Sequence, residues 1–522
     1  MLRSSSVHRL AAAVLACAGL LGCSRETTAQ AGAPAGERAL PATESAPSQC
    51  PAPSRRVAVK VDAGSVLRER IPAGIFGFNV PRREFRDGFF RDQAVRPEVV
   101  EWLKPFAGAL YRYPAGTPAN WFEWRQAIGA ARSRTTQYDN YGQTQPVEFG
   151  YPEFLGMISK VGGRALLTVN LSGPYERPQD EKTAAAEVLG LMRWMQSKDG
   201  AGCVSGAACP VAYWEFGNEL DWPPFNWTAK QYAGRINATV ATVGQVFPDV
   251  QWIAHGKTAP WDPASERFKG FDNELAALTD KRVEGVATHA YYDGYSVPDV
   301  KAHLDSLLDA WAKTHAHAWA VVTEHARWPS QPLIGRWEDN WAEATNLDGA
   351  LSTADFQLAV IADPRVVGAN LHTISTEGPW QLFRWQKQGD RVYPSPVYWA
   401  LRTLREGMQD KLVRIEPALV PGRGYHAGYD ARLVATASAQ GSSVMGVNRS
   451  GQALELVIDW QGYVPRTTQA ELRWITGAKD ANNTDEAPDR VRMLSRQVEL
   501  PAGRTRSTWC IPERAVFSIV ER

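Results

Sequence analysis

The stretch Ala212-Tyr213-Trp214-Glu215-Phe216-Gly217-Asn218-Glu219-Leu220-Asp221-Trp222 opens on a short aromatic-rich run and ends on a glycine followed by Asn and Glu. The run Ala212 to Phe216 is too short for a helix and has the composition of a strand. Similar runs flank it on both sides. Before it come Ile75 to Asn79, Ala109 to Tyr113 and Ala165 to Leu171. After it come Gln251 to His255, Gly285 to Tyr291, Ala318 to Thr323 and Gly368 to Ile374. Their β-branched and aromatic content, with little alternation, suits strands covered on both faces. Thr183 to Gln196 and Thr228 to Val246 carry helical apolar spacing between them. Eight strands alternating with helices over roughly 300 residues predict an α/β fold of the (β/α)8 TIM-barrel type. A doubly wound sheet is the competing arrangement, but no Gly-rich phosphate turn follows the first strand.

Barrel enzymes place their chemistry at the C-terminal ends of the strands. Glu219 follows the fourth run and Glu324 ends the seventh, in Val321-Val322-Thr323-Glu324-His325. Two carboxyl groups facing one barrel mouth suit retaining glycoside hydrolysis. One protonates the leaving oxygen while the other attacks the anomeric carbon. A lone Glu at such a place would more simply be a surface residue at a helix start. His372 and Glu377 follow the eighth run, and Glu377 is the rival nucleophile. Trp121, Trp222, Trp227, Trp328 and Trp380 come after strands 2, 4, 7 and 8, where aromatic rings would stack on sugars.

These segments resemble the clan A glycoside hydrolases, and most closely the α-L-arabinofuranosidases of glycoside hydrolase family 51. Leu110-Tyr111-Arg112-Tyr113-Pro114-Ala115-Gly116 resembles that family's turn after strand 2, followed by Trp124-Arg125 and Ile128-Gly129. Val169-Asn170-Leu171 resembles its strand 3. Phe216-Gly217-Asn218-Glu219 resembles its acid/base motif, and Thr288-His289-Ala290-Tyr291-Tyr292 its strand 6. Asn482-Asn483-Thr484, Pro488, Val491 and Ile511-Pro512 resemble its C-terminal signature.

The resemblance implies that Glu219 is the general acid/base and Glu324 the nucleophile. It implies that Asn218 bonds the sugar 2-hydroxyl and that Arg112 holds carboxylate charge or a sugar hydroxyl. Tyr291 would orient the nucleophile, and His289 would sit near the acid/base. Bare, His289 reads as a core histidine and Arg112 as half of a buried ion pair. The family's double glycine becomes Ala115-Gly116, its following Asn becomes Thr117, and His325 follows the nucleophile where Trp is usual. The sugar is therefore less securely implied than the chemistry. A β-glucuronidase, β-xylosidase or endoglucanase of the same clan, a lyase, and a catalytically silent glycan-binding lipoprotein stay open. No cofactor and no metal are expected.

Beyond about residue 410 the pattern becomes all-β. Ala431 to Ala437, Ser443 to Val447, Ala453 to Ile458 and Glu471 to Ile475 predict a β-sandwich. Val57 to Val61 alternates in the same way before the barrel begins.

The N-terminus has Arg3 and Arg9 before an apolar run, Leu10 to Leu21, and then Gly22-Cys23. A basic start and a short apolar stretch mark an export signal. Its end resembles the bacterial lipobox, which implies lipidation at Cys23. Ser24 resembles outer-membrane sorting in Gram-negative cells. Residues 24–54 are rich in Ala, Pro, Ser and Thr and cannot bury enough surface to order themselves. The expected organisation is a signal peptide at 1–22, a tether at 23–54, and an N-terminal sandwich strand at 55–70. The barrel is expected at 71–410 and the sandwich at 411–522. Four further cysteines in an exported chain suggest two bridges. Cys203 and Cys209 are the natural local pair, leaving Cys50 for Cys510. His315-Ala316-His317 fits no zinc spacing and is expected on the surface.

Lys plus Arg is 57 and Asp plus Glu is 56 in 522 residues. That balance gives no chain-wide basic footprint for nucleic acid. Removing the signal takes Arg3 and Arg9 and no acid, so the net charge moves from +1 to −1. The expected partners are an oligo- or polysaccharide and, through the lipid, a membrane.

Overall fold

The computed structural model describes Cys50 and residues 52–522, apart from 81–87, 92–93, 140–141, 259–269, 294–295, 330–334, 377, 424–426 and 466. The signal, Cys23, most of the tether and Glu377 lie outside the described residues. Among the described residues, no helix is long and apolar enough to cross a membrane.

Eight parallel strands close into a barrel: β1 (Gly77–Asn79), β2 (Leu110–Tyr113), β3 (Arg164–Val169), β4 (Val211–Phe216), β5 (Trp252–His255), β6 (Gly285–Tyr292), β7 (Trp319–Arg327) and β8 (Val366–Leu371). Each strand lies beside the next in sequence, and β8 closes on β1. The connecting helices start where the sequence caps them. Asp180 accepts from the Thr183 N–H at the head of Glu181–Gln196. Thr228 and Gln231 form a reciprocal capping box before Ala229–Gly244.

Side chains two residues apart share a strand face, so the barrel interior is built in layers. Leu110, Leu166, Ala212, Ile253, Ala287 and Val321 form an apolar layer. Two residues further along four of these strands stand Arg112, Thr168, His255 and His289. The other two strands reach the same level through bulges. Ala165 pairs with Val211 but Leu166 with Tyr213, which sets Glu215 opposite Thr168. Thr288 pairs with Val322 but His289 with Glu324, so Thr323 is the extra residue. Without that bulge, Thr323 would stand opposite His289. Bulges re-aim side chains in this way beside functional sites. Strand β7 also runs to Arg327, beyond the expected end at Thr323.

The β-sandwich is one hydrogen-bonded sheet of ten strands folded over its own core. Its members include Tyr429–Ala437, Ser442–Asn448, Ala453–Gln461, Gln469–Ile475, Arg506–Ile511 and Ala515–Glu521. The long strand Ser54–Arg68 belongs to it, parallel to Ala453–Gln461 and antiparallel to Lys411–Glu416. The barrel is therefore inserted between the first strand of the sandwich and the rest. Leu433, Ala435, Phe517 and Ile519 face the sandwich core, while their alternates Val434 and Val516 pack into the barrel's core. Cys50 is bonded to Cys510, and Cys203 to Cys209. His315 departs from the expected surface position. It is buried and stacked on Trp311 at 4.8 Å, because the helix Val297–Ala312 ends beneath it; His317 is exposed.

Candidate active site

The polar layer at the C-terminal end of the barrel is organised by Arg112, which is fully buried. Its Nε donates to Glu215 Oε2 at 2.5 Å, and Nη1 donates to Glu324 Oε1 at 2.8 Å. Nη1 also reaches Asn79 Oδ1 at 3.2 Å, and Nη2 donates to Asn218 Oδ1 at 2.8 Å. The sequence left two roles open for Arg112. The structure shows its contacts with the carboxylates.

Glu219 sits past the end of β4 in a left-handed conformation, φ 48°, two residues after Gly217 at φ 69°. A non-glycine residue held there costs about 1–3 kcal/mol and persists only where its surroundings fix it. Asn120 supplies much of that fixing. Its Nδ2 donates to the Asn218 carbonyl at 2.6 Å, and its Oδ1 accepts from the Asn218 N–H at 2.8 Å. A Cβ on Gly217 would lie 2.5 Å from Leu220 and 2.9 Å from Asn120, so the turn needs glycine for space as well as for angle. The Trp222 N–H closes the turn on the Glu219 carbonyl at 3.0 Å.

Glu219 and Glu324 face each other across His289. One carboxylate oxygen of each glutamate and one ring nitrogen of His289 lie within 4.8 Å of one another. His289 Nδ1 is 2.6 Å from Glu219 Oε1 and 3.5 Å from Glu324 Oε2. The Tyr291 hydroxyl donates to Glu324 Oε2 at 2.7 Å, and His372 Nδ1 lies 3.7 Å from that oxygen. These spacings could also hold a cation, but Arg112, Tyr291 and His289 already engage the oxygens.

The two carboxyl groups titrate in opposite directions. Burial, together with the charge of Glu324, pushes Glu219 up to about 7. Burial alone would raise Glu324 too. The imidazoles of His289 and His372, the Arg112 guanidinium and the Tyr291 hydroxyl overcome it and hold Glu324 well below the usual carboxylate range. Burial pushes His289 down to about 4 and lowers His372, and Arg112 supplies the permanent positive charge. One group is set to carry a proton and its neighbour to stay ionised, the pairing an acid and a nucleophile need.

The tryptophans divide. Trp328 and Trp380 are half-buried and pack on Tyr291 with centroids at 5.5 and 5.2 Å. Trp337, which the sequence did not single out, joins Trp328 at 5.2 Å. Trp222 is exposed. Trp121 is buried under Tyr175 and Phe225, and its indole N–H is taken by the Tyr138 carbonyl, so it is a packing residue rather than an open platform. Trp227 packs on Tyr232 beneath Arg235. Sequence reasoning also missed Asn79, Asn120, Thr168 and Glu215 as members of the site. Asn79 binds the carbonyl of the bulged Thr323 at 2.8 Å as well as Arg112. A polar residue at the C-terminal end of the first barrel strand was the available signal for it.

Residues 102–297 match the family model of the alpha-L-arabinofuranosidase 1 domain. The intracellular exo-α-(1→5)-L-arabinofuranosidase of Streptomyces lividans is 26% identical over 230 residues, 42% of this chain and 33% of that protein. The exo-α-(1→6)-L-arabinofuranosidase of Bifidobacterium longum is 24% identical over 265 residues, 49% of this chain and 48% of that protein. The chain thus spans between a third and a half of these relatives. The structure of α-L-arabinofuranosidase from Thermotoga maritima, solved with arabinose, superposes with a TM-score of 0.72 at 18% identity, over 89% of this chain and 99% of that one. The family 51 arabinofuranosidase from Xanthomonas axonopodis pv. citri gives 0.72 at 16% identity, over 90% and 100%. At such identities the likeness is one of fold: a (β/α)8 barrel carrying a β-sandwich.

Proposed function

We propose that this protein is a retaining glycoside hydrolase that removes α-L-arabinofuranosyl groups from oligo- or polysaccharides. The observation that carries the reading is the Glu219–Glu324 pair, close together at one barrel mouth, with burial raising Glu219 and its neighbours lowering Glu324. Retaining enzymes hold their carboxyl groups about 5 Å apart, and inverting ones leave room for a water between them. Glu324 attacks the anomeric carbon, and a bond forms from its carboxylate oxygen as the bond to the leaving oxygen breaks. Glu219 gives its proton to that oxygen. Glu219 then takes a proton from water, which attacks the same carbon and frees Glu324. Asn218, held by Arg112 and Asn120, is placed to meet the sugar 2-hydroxyl. Trp328 and Trp380, packed on Tyr291, and the exposed Trp222 would stack on the sugar. The arabinofuranosidase relatives support the choice of sugar, while Ala115 and Thr117 depart from the family's turn and favour testing other sugars beside it.

A panel of nitrophenyl glycosides, α-L-arabinofuranoside first, tests the reading, with the anomeric configuration of the first-formed product followed by NMR. Hydrolysis with retention is expected. Inversion, an unsaturated product, or no turnover of any glycoside overturns it.

We further propose that the chain is exported and anchored by lipid at Cys23, on the support of its basic start, apolar run and Gly22-Cys23 junction. Two or more acyl chains make such an anchor stable. Expressed in a Gram-negative host with labelled palmitate, the protein should label and sediment with membranes, and Cys23→Ser should do neither. A soluble, unlabelled wild type would refute anchorage.

A further inference from the structure

Glu215 is a third carboxylate at this site, one residue before the end of β4 and fully buried. Its Oε2 accepts from Arg112 Nε at 2.5 Å and from the Thr168 hydroxyl at 2.8 Å. Its Oε1 has no hydrogen-bond partner among the described residues. A buried carboxylate with a bare oxygen is costly unless something nearby uses its charge. Among the described residues the only charged group that it touches is Arg112, and Arg112 also holds Glu324.

We propose that Glu215 is a positioning residue that takes a share of the Arg112 charge and fixes the guanidinium fork, so that Glu324 keeps the electron density it needs to attack. This rests on Glu324 being the nucleophile. The argument follows the charge through the reaction. When Glu324 attacks, its carboxylate loses charge, so any cation bound to it stabilises the ground state more than the transition state. When water later displaces it, the charge returns and the same cation helps it leave. A guanidinium given wholly to Glu324 would slow the first step and speed the second. Dividing it between Glu215 and Glu324 balances the two. The fork geometry permits the division, because Nε faces Glu215 while Nη1 and Nη2 face Glu324 and Asn218.

Two variants push the balance in opposite directions. Glu215→Gln keeps the shape and an acceptor but removes the charge, leaving Arg112 to Glu324. The glycosylation rate, read from trapping by a 2-fluoro glycoside with a good leaving group, should fall about tenfold to a hundredfold. The rate at which the trapped enzyme recovers should hold or rise. Thr168→Val removes the neutral donor on Glu215, concentrates its charge on Arg112, and keeps the core volume. It should shift the ratio of the two rates the other way, about twofold to threefold, and it serves alone if Glu215→Gln does not fold. The proposal is overturned if either folded variant slows both steps equally, as loss of packing would, or leaves their ratio unchanged. Mass spectrometry of the trapped wild type locates the adduct. A wild type that forms no adduct on Glu324 defeats the reading of the nucleophile, which is separate from the failure of the Glu215 variants.

Discussion

Arg112 in the barrel and Arg504 in the sandwich are both buried against glutamates, and their surroundings differ in kind. Arg504 Nε meets Glu521 Oε2 at 2.7 Å, while its Nη1 serves the carbonyls of Thr467 and Pro501 at 3.1 Å. The other oxygen of Glu521 accepts from the Ser507 hydroxyl at 2.5 Å and the Trp509 indole at 3.2 Å. There one cation meets one carboxylate, and both oxygens are engaged. Arg112 instead directly holds two carboxylates, with a third, Glu219, close by. Around them stand His289 and His372, both shifted down by burial, and an oxygen of Glu215 without a hydrogen-bond partner among the described residues. A buried pair with matched charge ties strands together, here with both carboxylate oxygens engaged and only Arg504 Nη2 lacking a partner among the described residues. A surplus of carboxylates over cations forces one of them to keep a proton, which is a reactive state.

The largest test of this contrast is Glu324→Ala. Turnover should fall by about 10⁴-fold or more, as removal of a nucleophile does elsewhere, while the melting temperature holds or rises because the charge surplus shrinks. Azide should rescue this variant and give a glycosyl azide of inverted configuration, since the azide takes the place of the missing carboxylate. A variant that keeps near-normal rates removes Glu324 from the mechanism.

Glu219→Gln comes next. General acid catalysis is worth about 10²–10⁴-fold, so natural glycosides should suffer more than nitrophenyl ones, whose leaving groups need less help. The pH profile carries the sign. Glu219 acts protonated and sits at about 7, so kcat/KM of the wild type should decline as pH rises through about 7. Glu324 acts ionised and lies well below the usual carboxylate range, so the acid side should stay flat through pH 4 to 5. A profile whose alkaline limb is still present in Glu219→Gln assigns that limb to another group.

In the sandwich the expected effect is on stability alone. Glu521→Gln should cost about 3–5 kcal/mol, because it leaves Arg504 buried without its counter-charge. Denaturant titration reads that cost, and kcat per folded molecule should not change. A fall in kcat at full folding would show that the two regions are not as separate in function as their charge balance suggests.

Much of this was legible in the sequence, for identifiable reasons. The eight strands announced themselves because a barrel strand is buried on both faces, so its composition alone marks it. Glu219 was visible because a glycine turn ends its strand. Glu324 was placed at the mouth by its position at the strand end and not by alternation, since strict alternation from Val321 selects Thr323 and only the bulge changes the parity. Composition does not encode a bulge. Position after a strand says nothing about what lies above a ring, and Trp121, a candidate platform, is covered by Tyr175 and Phe225. Glu215 was hidden inside a run read as strand interior, where side-chain direction decides whether a polar residue meets the site, while Asn79 stood at a strand end and was passed over.

Asn120 gives the smallest and most discriminating test. It touches neither carboxylate and bonds both backbone groups of Asn218, the residue before the left-handed Glu219. Asn120→Ala leaves a buried N–H and a buried carbonyl without partners, a loss of about 1–3 kcal/mol. Were that loss spent on global stability, denaturation would report it and kcat would not. The strain at Glu219 argues otherwise, because a residue held in an unfavourable conformation relaxes first when its restraints go. The expected outcome is a fall in kcat of about tenfold, little change in KM, and an alkaline limb displaced from about 7 as Glu219 gains solvent. Asn120→Asp, which keeps one acceptor for the Asn218 N–H, should recover part of the rate. An unchanged kcat with lowered stability would place the restraint on Glu219 in Gly217 and the Trp222 turn instead.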